Sequence, residues 1–159
     1  VDKINIKVMT AADKPAVMSI LHTTPEFLPH EVVVAEELID SFLENRKASG
    51  YHILVARSVE KIYGYICYGD TPLTETTWDI YWLAVSRDNQ GKGIGRLLMK
   101  QAEDNIKNMG GKLIVVETSG KADYNKTRQF YHSINYQLVC SIAEYYAPND
   151  DLVIFTKRL

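Results

Sequence analysis

Between Val85 and Arg96 the chain reads Val-Ser-Arg-Asp-Asn-Gln-Gly-Lys-Gly-Ile-Gly-Arg, an apolar strand-like segment passing through a glycine-rich turn into a helical pattern. Backbone N–H groups at a helix start lack intrahelical partners and lie at the positive end of the aligned peptide dipoles, so such a turn can cradle a phosphate or pyrophosphate. Glycine lets the anion approach the main chain without a Cβ in the way. Spacing separates the kinds of phosphate site. A P-loop requires Gly-x-x-x-x-Gly-Lys-Ser/Thr, and here Lys92 precedes Gly93 rather than a hydroxyl residue. A dinucleotide fingerprint begun at Gly91 and Gly93 would put its third glycine at Arg96, whose side chain is too large for close helix–strand packing.

What remains is Gln90-x-x-Gly93-x-Gly95 behind the strand Ile80–Val85, and it resembles the acetyl-CoA loop of the GNAT N-acetyltransferases. The resemblance implies that Gln90, Gly91, Lys92, Gly93, Ile94, Gly95 and Arg96 hold the phosphates of acetyl-CoA. It also implies a bulge in the preceding strand that frees backbone amides near Leu83 and Val85 for the thioester and the pantetheine arm. Acetyl transfer from a thioester to an amine needs an uncharged nucleophile, stabilisation of a developing oxyanion and a proton for the leaving thiolate. A lysine-like amine has a pKa near 10.4, so deprotonating it at pH 7 costs about 4.6 kcal/mol and a nearby carboxylate helps. Asp79, eleven positions before Gln90, stands where the resemblance places a proton-abstracting carboxylate, and Glu117 is a second one at the end of a strand facing the cofactor cleft. Phe130-Tyr131-His-Ser-Ile-Asn135-Tyr136 resembles the family's Phe-Tyr-x-x-x-Gly-Phe/Tyr segment, which makes Tyr131 the proton donor to the thiolate. Asn135 replaces the usual glycine, and asparagine tolerates the left-handed backbone that glycine supplies. Asn125, before the same helix, is placed by the resemblance to reach the pantetheine arm.

Positioning these groups takes a specific series of elements. Ile4–Val8 alternates as a half-buried strand, and Thr10 or Asp13 can cap a helix with Pro15 in its first turn. A second helix spans Glu31 to about Lys47, with Val34, Ala35, Leu38, Ile39 and Phe42 as its apolar stripe and Asn45–Gly50 as its end. His52–Arg57, Ile62–Tyr68 and Thr77–Val85 are rich in aromatic and β-branched residues with short links, an antiparallel meander. Alternation along the third places Asp79, Tyr81, Leu83 and Val85 on one face and Trp78, Ile80, Trp82 and Ala84 on the other, unless the bulge intervenes. Ile94, Leu97, Leu98, Ala102, Ile106 and Met109 form a helical stripe closed by Gly110-Gly111. Leu113–Glu117 is a nearly continuous apolar run, expected of an interior strand, and a helix from Tyr124 to Ile134 follows. Strands at Tyr136–Tyr146 and Leu152–Lys157 close the chain. The order β-α-α-β-β-β-α-β-α-β-β is also the GNAT order. It implies an α/β (α+β) acyl-CoA N-acyltransferase fold with a mixed, mostly antiparallel seven-stranded sheet flanked by four helices, in a single N-acetyltransferase domain over residues 1–159.

Composition narrows the partners. A net charge of −2 argues against a general nucleic-acid surface, and no apolar run approaches the length of a membrane span, which together suggest a cytoplasmic chain. Cys67 and Cys140 lie in apolar strand contexts and read as reduced core thiols, and the four histidines lack metal-ligand spacing, so no metal is expected. The acceptor is expected to be a primary amine of a small molecule or peptide, attacked directly in a ternary complex. By location, Phe27, Leu28, His30, Tyr81, Tyr145 and Tyr146 are its candidate contacts. Glu144, Asp150 and Asp151 add negative charge near the last hairpin and read as solvated turn residues. Exposed edges on the closing strands could mediate a homodimer. The competing reading is a catalytically silent CoA-binding sensor on the same fold, because a fold does not fix a function.

Overall fold

The computed structural model describes residues 3–159. Seven strands, β1 (Asn5–Val8), β2 (Tyr51–Arg57), β3 (Ile62–Asp70), β4 (Thr77–Val85), β5 (Leu113–Ser119), β6 (Gln137–Ala147) and β7 (Asp150–Arg158), form one sheet in the order β1-β2-β3-β4-β5-β7-β6. Every neighbouring pair is antiparallel except β4 and β5. Five helices accompany it: α1 (Lys14–Thr23), α2 (Pro29–Glu44), α3 (Arg46–Ser49), α4 (Ile94–Asn108) and α5 (Asn125–Ser133). The fold is the one expected with a fifth, single-turn helix. The segment read as merely ending α2 folds into α3 because the Asn45 side chain accepts a hydrogen bond from the Ala48 N–H at 3.1 Å, and Gly50 then ends it in the left-handed region at φ 73°.

Each face of the sheet is covered by one helical layer. Val17, Leu21, Ala35, Ile39 and Phe42 of α1 and α2 bury against Ile53, Val55, Tyr65 and Cys67. On the other side Leu98, Met99, Ala102 and Ile106 of α4, joined by Tyr131 and Ile134 at the end of α5, cover Leu54, Ile66, Ile114, Val116 and Phe155. Asp13 ties the first crossover to β2: its carboxylate accepts the Thr10 N–H and hydroxyl at 2.8 and 2.9 Å and pairs with Arg57 at 2.8 Å. The last hairpin turns on two residues, Pro148 and Asn149, rather than the longer link its sequence suggests, with Asn149 at φ 62°. β6 is exposed along all eleven residues, so Cys140 is a surface thiol while Cys67 is a core one.

Two irregularities shape the middle of the sheet. Cys67 pairs with Trp82 and Tyr68 with Ile80, which leaves Tyr81 as an extra residue in β4. Strict alternation fails there. Trp78 and Ile80 before the bulge, and Leu83 and Val85 after it, all pack on the α4 side, while Trp82 and Ala84 face α1 and α2. The second irregularity is the short parallel ladder. β4 and β5 pair only from Thr77–Leu113 to Ile80–Val116, so beyond that point the two strands part. No helix among the described residues is long and apolar enough to cross a membrane, and none of their His, Cys, Asp and Glu side chains form a metal-binding group.

Candidate active site

Where β4 and β5 part, a cleft of ≈ 520 Å³ opens between the glycine turn, α5 and the α1–α2 connection. One wall is Leu83, Ala84 and Val85, whose backbone has a ladder partner only on the β3 side. The floor is the turn itself. Gln90 folds back to donate from Nε2 to the Val85 C=O at 3.2 Å, and Gly91 and Gly93 turn the chain with φ 74° and 82°. Gly93 is the N-cap of α4, and the first intrahelical bond runs from Leu97 N–H to its C=O at 3.0 Å. The amides of Ile94, Gly95 and Arg96 precede that bond and face an anion site with the helix dipole behind them. Gly95 also admits the Phe130 ring, which lies 3.3 Å from where a Cβ would stand. Arg96 lines the cleft and is held by its Nη2 donating to the Ser133 C=O at 3.3 Å, which fixes a guanidinium beside the cradle. These residues fit a diphosphate.

The opposite wall comes from α5. Thr127, Phe130 and Tyr131, at positions i, i+3 and i+4, share one helical face and line the cleft. Tyr131 is 5% exposed, packed on the rings of Phe130, Tyr136 and Phe155 at centroid distances of 5.4 to 5.7 Å. Burial alone drives its phenol pKa far above the usual value, so the group is neutral and carries its proton at neutral pH. Tyr124, on the turn before α5, donates to the Glu26 C=O at 3.1 Å and so ties the α1–α2 connection across the mouth. Arg128 steadies that turn by donating to the Ser119 and Lys121 carbonyls at 2.6 and 2.9 Å.

Of the cofactor residues expected from sequence, Leu83, Val85, Gln90, Gly91, Gly93, Ile94, Gly95 and Arg96 line this cleft, while Lys92 and Asn125 do not. The Lys92 ammonium is bonded to Asn89 Oδ1 at 3.2 Å, and the Asn125 carbonyl accepts from Arg128. The carboxylates sit apart from it. Asp79 accepts the Thr71 hydroxyl at 2.7 Å, and its sheet partner Val115 is two residues from exposed Glu117. Both therefore project from the sheet face opposite Ile114 and Val116, on the α1–α2 side. Phe27 lines the cleft and meets Trp82 edge-on at 5.3 Å. Tyr81, Leu28, Tyr145 and Tyr146 lie outside it. Tyr81 meets Tyr51 edge-on at 5.6 Å, and burial with the neighbouring Asp79 pushes its pKa up to about 12. Sequence reasoning missed Tyr124, Thr127 and Phe130, although their helical spacing to Tyr131 carries the signal. It also missed Glu26, whose contact spans 98 positions.

Comparison with known proteins assigns the class. The acetyltransferase (GNAT) domain matches residues 49–138. A Desulfovibrio desulfuricans protein assigned to the GNAT acetyltransferases shares 34% identity over 98% of this chain and 99% of its own, at a TM-score of 0.94. The chain belongs to the GNAT acetyltransferase family, and it is an acyltransferase. At the level of fold it is also similar to a Salmonella typhimurium protein solved with acetyl-CoA, at 20% identity, 98% and 94% coverage and a TM-score of 0.78. The ribosomal-protein-S18-alanine N-acetyltransferase of Escherichia coli aligns at 17% identity, 98% and 94% coverage and a TM-score of 0.77. No curated protein is significantly similar to the chain.

Proposed function

We propose that the protein transfers an acetyl group from acetyl-CoA to a primary amine of a small molecule or peptide, by direct attack while both are bound. The observation that carries this reading is the placement of a buried, neutral Tyr131 in one cleft with the anion cradle of Gly93–Arg96 and the β4 edge at Leu83–Val85 that has no ladder partner on the β5 side. Acetyl-CoA, when bound, supplies an activated acyl carbon and a thiolate leaving group.

The chain's residues do the rest. Amides at the start of α4, with Arg96, hold the diphosphate, and the β4 main chain beyond the bulge offers N–H groups to the arm and to the carbonyl oxygen as it gains charge. The amine lone pair attacks the acyl carbon as the C–S bond breaks, Tyr131 gives its proton to sulfur, and the proton lost by nitrogen passes to Glu117 or Asp79 through water. Tyr131 suits that step despite its high pKa, because the desolvation that lifts the phenol also lifts the thiol forming beside it.

The test is calorimetric titration with acetyl-CoA, then thiol release in the same preparation against a panel of amines, for wild type and Tyr131→Phe. Amine-dependent release that falls about 10²-fold or more in the variant, with acetyl-CoA affinity unchanged, supports the mechanism. Binding without release across the panel favours the CoA-binding sensor, and no binding refutes the reading.

A further inference from the structure

The α1–α2 connection, residues 24–28, forms one wall of the cleft through Thr24, Glu26 and Phe27. Most of its hydrogen bonds are to its own neighbours. The Thr24 hydroxyl donates to the Ile20 C=O at 2.8 Å, the Phe27 N–H to the Thr24 C=O at 3.2 Å, and the Leu28 N–H to the Glu31 carboxylate at 2.7 Å. None of these spans more than four positions. Among the described residues the single hydrogen bond that ties the connection to a distant part of the fold is the one from the Tyr124 hydroxyl to the Glu26 C=O, at 3.1 Å.

The donor end of that bond is firmly held. Tyr124 is the N-cap of α5, its N–H donates to the Lys121 C=O at 3.0 Å, and Arg128 fastens the same turn to the end of β5 through the Ser119 C=O. Burial, then the Glu31 and Glu26 carboxylates, raise the Tyr124 pKa, so the hydroxyl keeps the proton it donates. Tyr131 lies seven positions further along, two turns of the same helix. One rigid element thus carries the phenol of the reaction and pins the wall that faces it. At the acceptor end of the bond, Glu26 adjoins Phe27, whose ring meets Trp82 edge-on at 5.3 Å, so fixing the Glu26 carbonyl sets where the backbone presents that ring to the cleft.

We propose that Tyr124 is a positioning residue for the amine acceptor: its hydroxyl pins the α1–α2 connection across the cleft, and Phe27 thereby stands as a fixed wall of the amine site. This rests on the transferase reading, which gives the anion cradle and the β4 edge to acetyl-CoA and leaves the α1–α2 side, toward which Asp79 and Glu117 project, to the amine.

Tyr124→Phe keeps the ring and removes only the hydroxyl. Tyr68→Phe serves as the control, since it loses a hydroxyl that accepts from Asn105 Nδ2 at 3.0 Å and does not line the cleft. Amide hydrogen exchange is measured at Phe27 and Leu28, acetyl-CoA affinity by calorimetry, and thiol release with hexylamine, benzylamine and a tetra-alanine peptide as acceptors. In Tyr124→Phe exchange at Phe27 and Leu28 should quicken about two- to tenfold, the range one neutral hydrogen bond commands, and the acceptor KM should rise by a similar factor. Its kcat and acetyl-CoA affinity should stay within about twofold of wild type, because Tyr131 and the cradle are untouched. Tyr68→Phe should leave the local exchange and the acceptor KM as they are. Unchanged exchange in Tyr124→Phe overturns the inference, as does faster exchange with an unchanged KM. A fall in kcat at constant KM also overturns it, by making Tyr124 a participant in the chemistry. Each of those results leaves the transferase standing. Absence of thiol release by wild type with any amine refutes the transferase reading and this role together.

Discussion

Tyr136→Phe should destabilise the protein by about 2 kcal/mol while Tyr65→Phe, the same change in an equally buried ring, should not. Tyr136 is 2% exposed, and its hydroxyl donates to Glu103 Oε1 at 3.1 Å. Glu103 is itself only 9% exposed and takes two further bonds from Lys157 Nζ at 3.0 Å each. Deleting the hydroxyl removes one of three hydrogen bonds to a buried carboxylate. A hydrogen bond to a charged group contributes about 1.5–3 kcal/mol, and the ring and its packing stay. For a chain of this size that corresponds to a fall in Tm of about 4–8 °C. Among the described residues the Tyr65 hydroxyl has no partner although the residue is fully buried, so its removal leaves nothing unpaired and should change stability by between zero and a gain of about 1 kcal/mol. Urea unfolding of both variants at pH 7 gives the comparison. Equal losses would refute the assignment of the cost to the Glu103 bond and leave ring packing as the common cause. The result bears on the site as well. Lys157 also donates to the Ile134 C=O at 3.1 Å and the Tyr136 N–H to the Tyr131 C=O at 3.0 Å, so this network holds the end of the helix that carries Tyr131.

Gly111→Ala should cost about 1–3 kcal/mol, because its Cβ would stand 2.3 Å from Ile106 Cγ2 and 2.7 Å from Trp78 Cδ1; a urea midpoint unchanged from wild type would show that the turn shifts freely. His52 stacks on Tyr68 at 5.2 Å, and burial lowers its pKa against a smaller opposing pull from Asp70. It is neutral in both folded and unfolded chains above about pH 6.5, where its contribution is complete. Below that the unfolded chain binds the proton first, so stability falls as pH drops through the lowered folded value. His52→Phe should lose less stability than wild type between about pH 7.5 and 5.5, and equal losses would refute it.

The sequence was informative where structure is local. The glycine turn, the stripe of α4 and the meander β2–β4 each declare themselves within a dozen residues, because capping, period and turn chemistry act over that range. Alternation along β4 misassigns faces on either side of Tyr81, since a bulge is a mismatch with a neighbouring strand and leaves no periodic mark of its own. The bulge was expected from family resemblance rather than from the residues. Lys92 and Asn125 were assigned by position along the chain, and hydrogen bonds to Asn89 and Arg128 take their side chains elsewhere. Asp150 looked like a solvated turn residue. It is nearly buried because the hairpin turns earlier than its sequence suggests, which carries Asp150 into β7 beside Ser119. Tyr124 meets Glu26, and Tyr136 meets Glu103, only after the chain has closed on itself.

The extra residue at Tyr81 makes the protein unequally tolerant of two kinds of genetic change. Substitution there alters one ring against Tyr51 and leaves the register intact. Loss of that one codon is different in kind. Held at Ile80 by β5 and at Trp82 by Cys67, the strand would become a regular two-residue repeat with Trp82 to Val85 on the faces they already occupy, so what would be lost is the bulge itself, with the bend and extra twist it gives β4 at the point where it leaves β5. Relatives that keep this cleft should accordingly differ in which amino acid fills the position, while alignments through β4 should show no gap there.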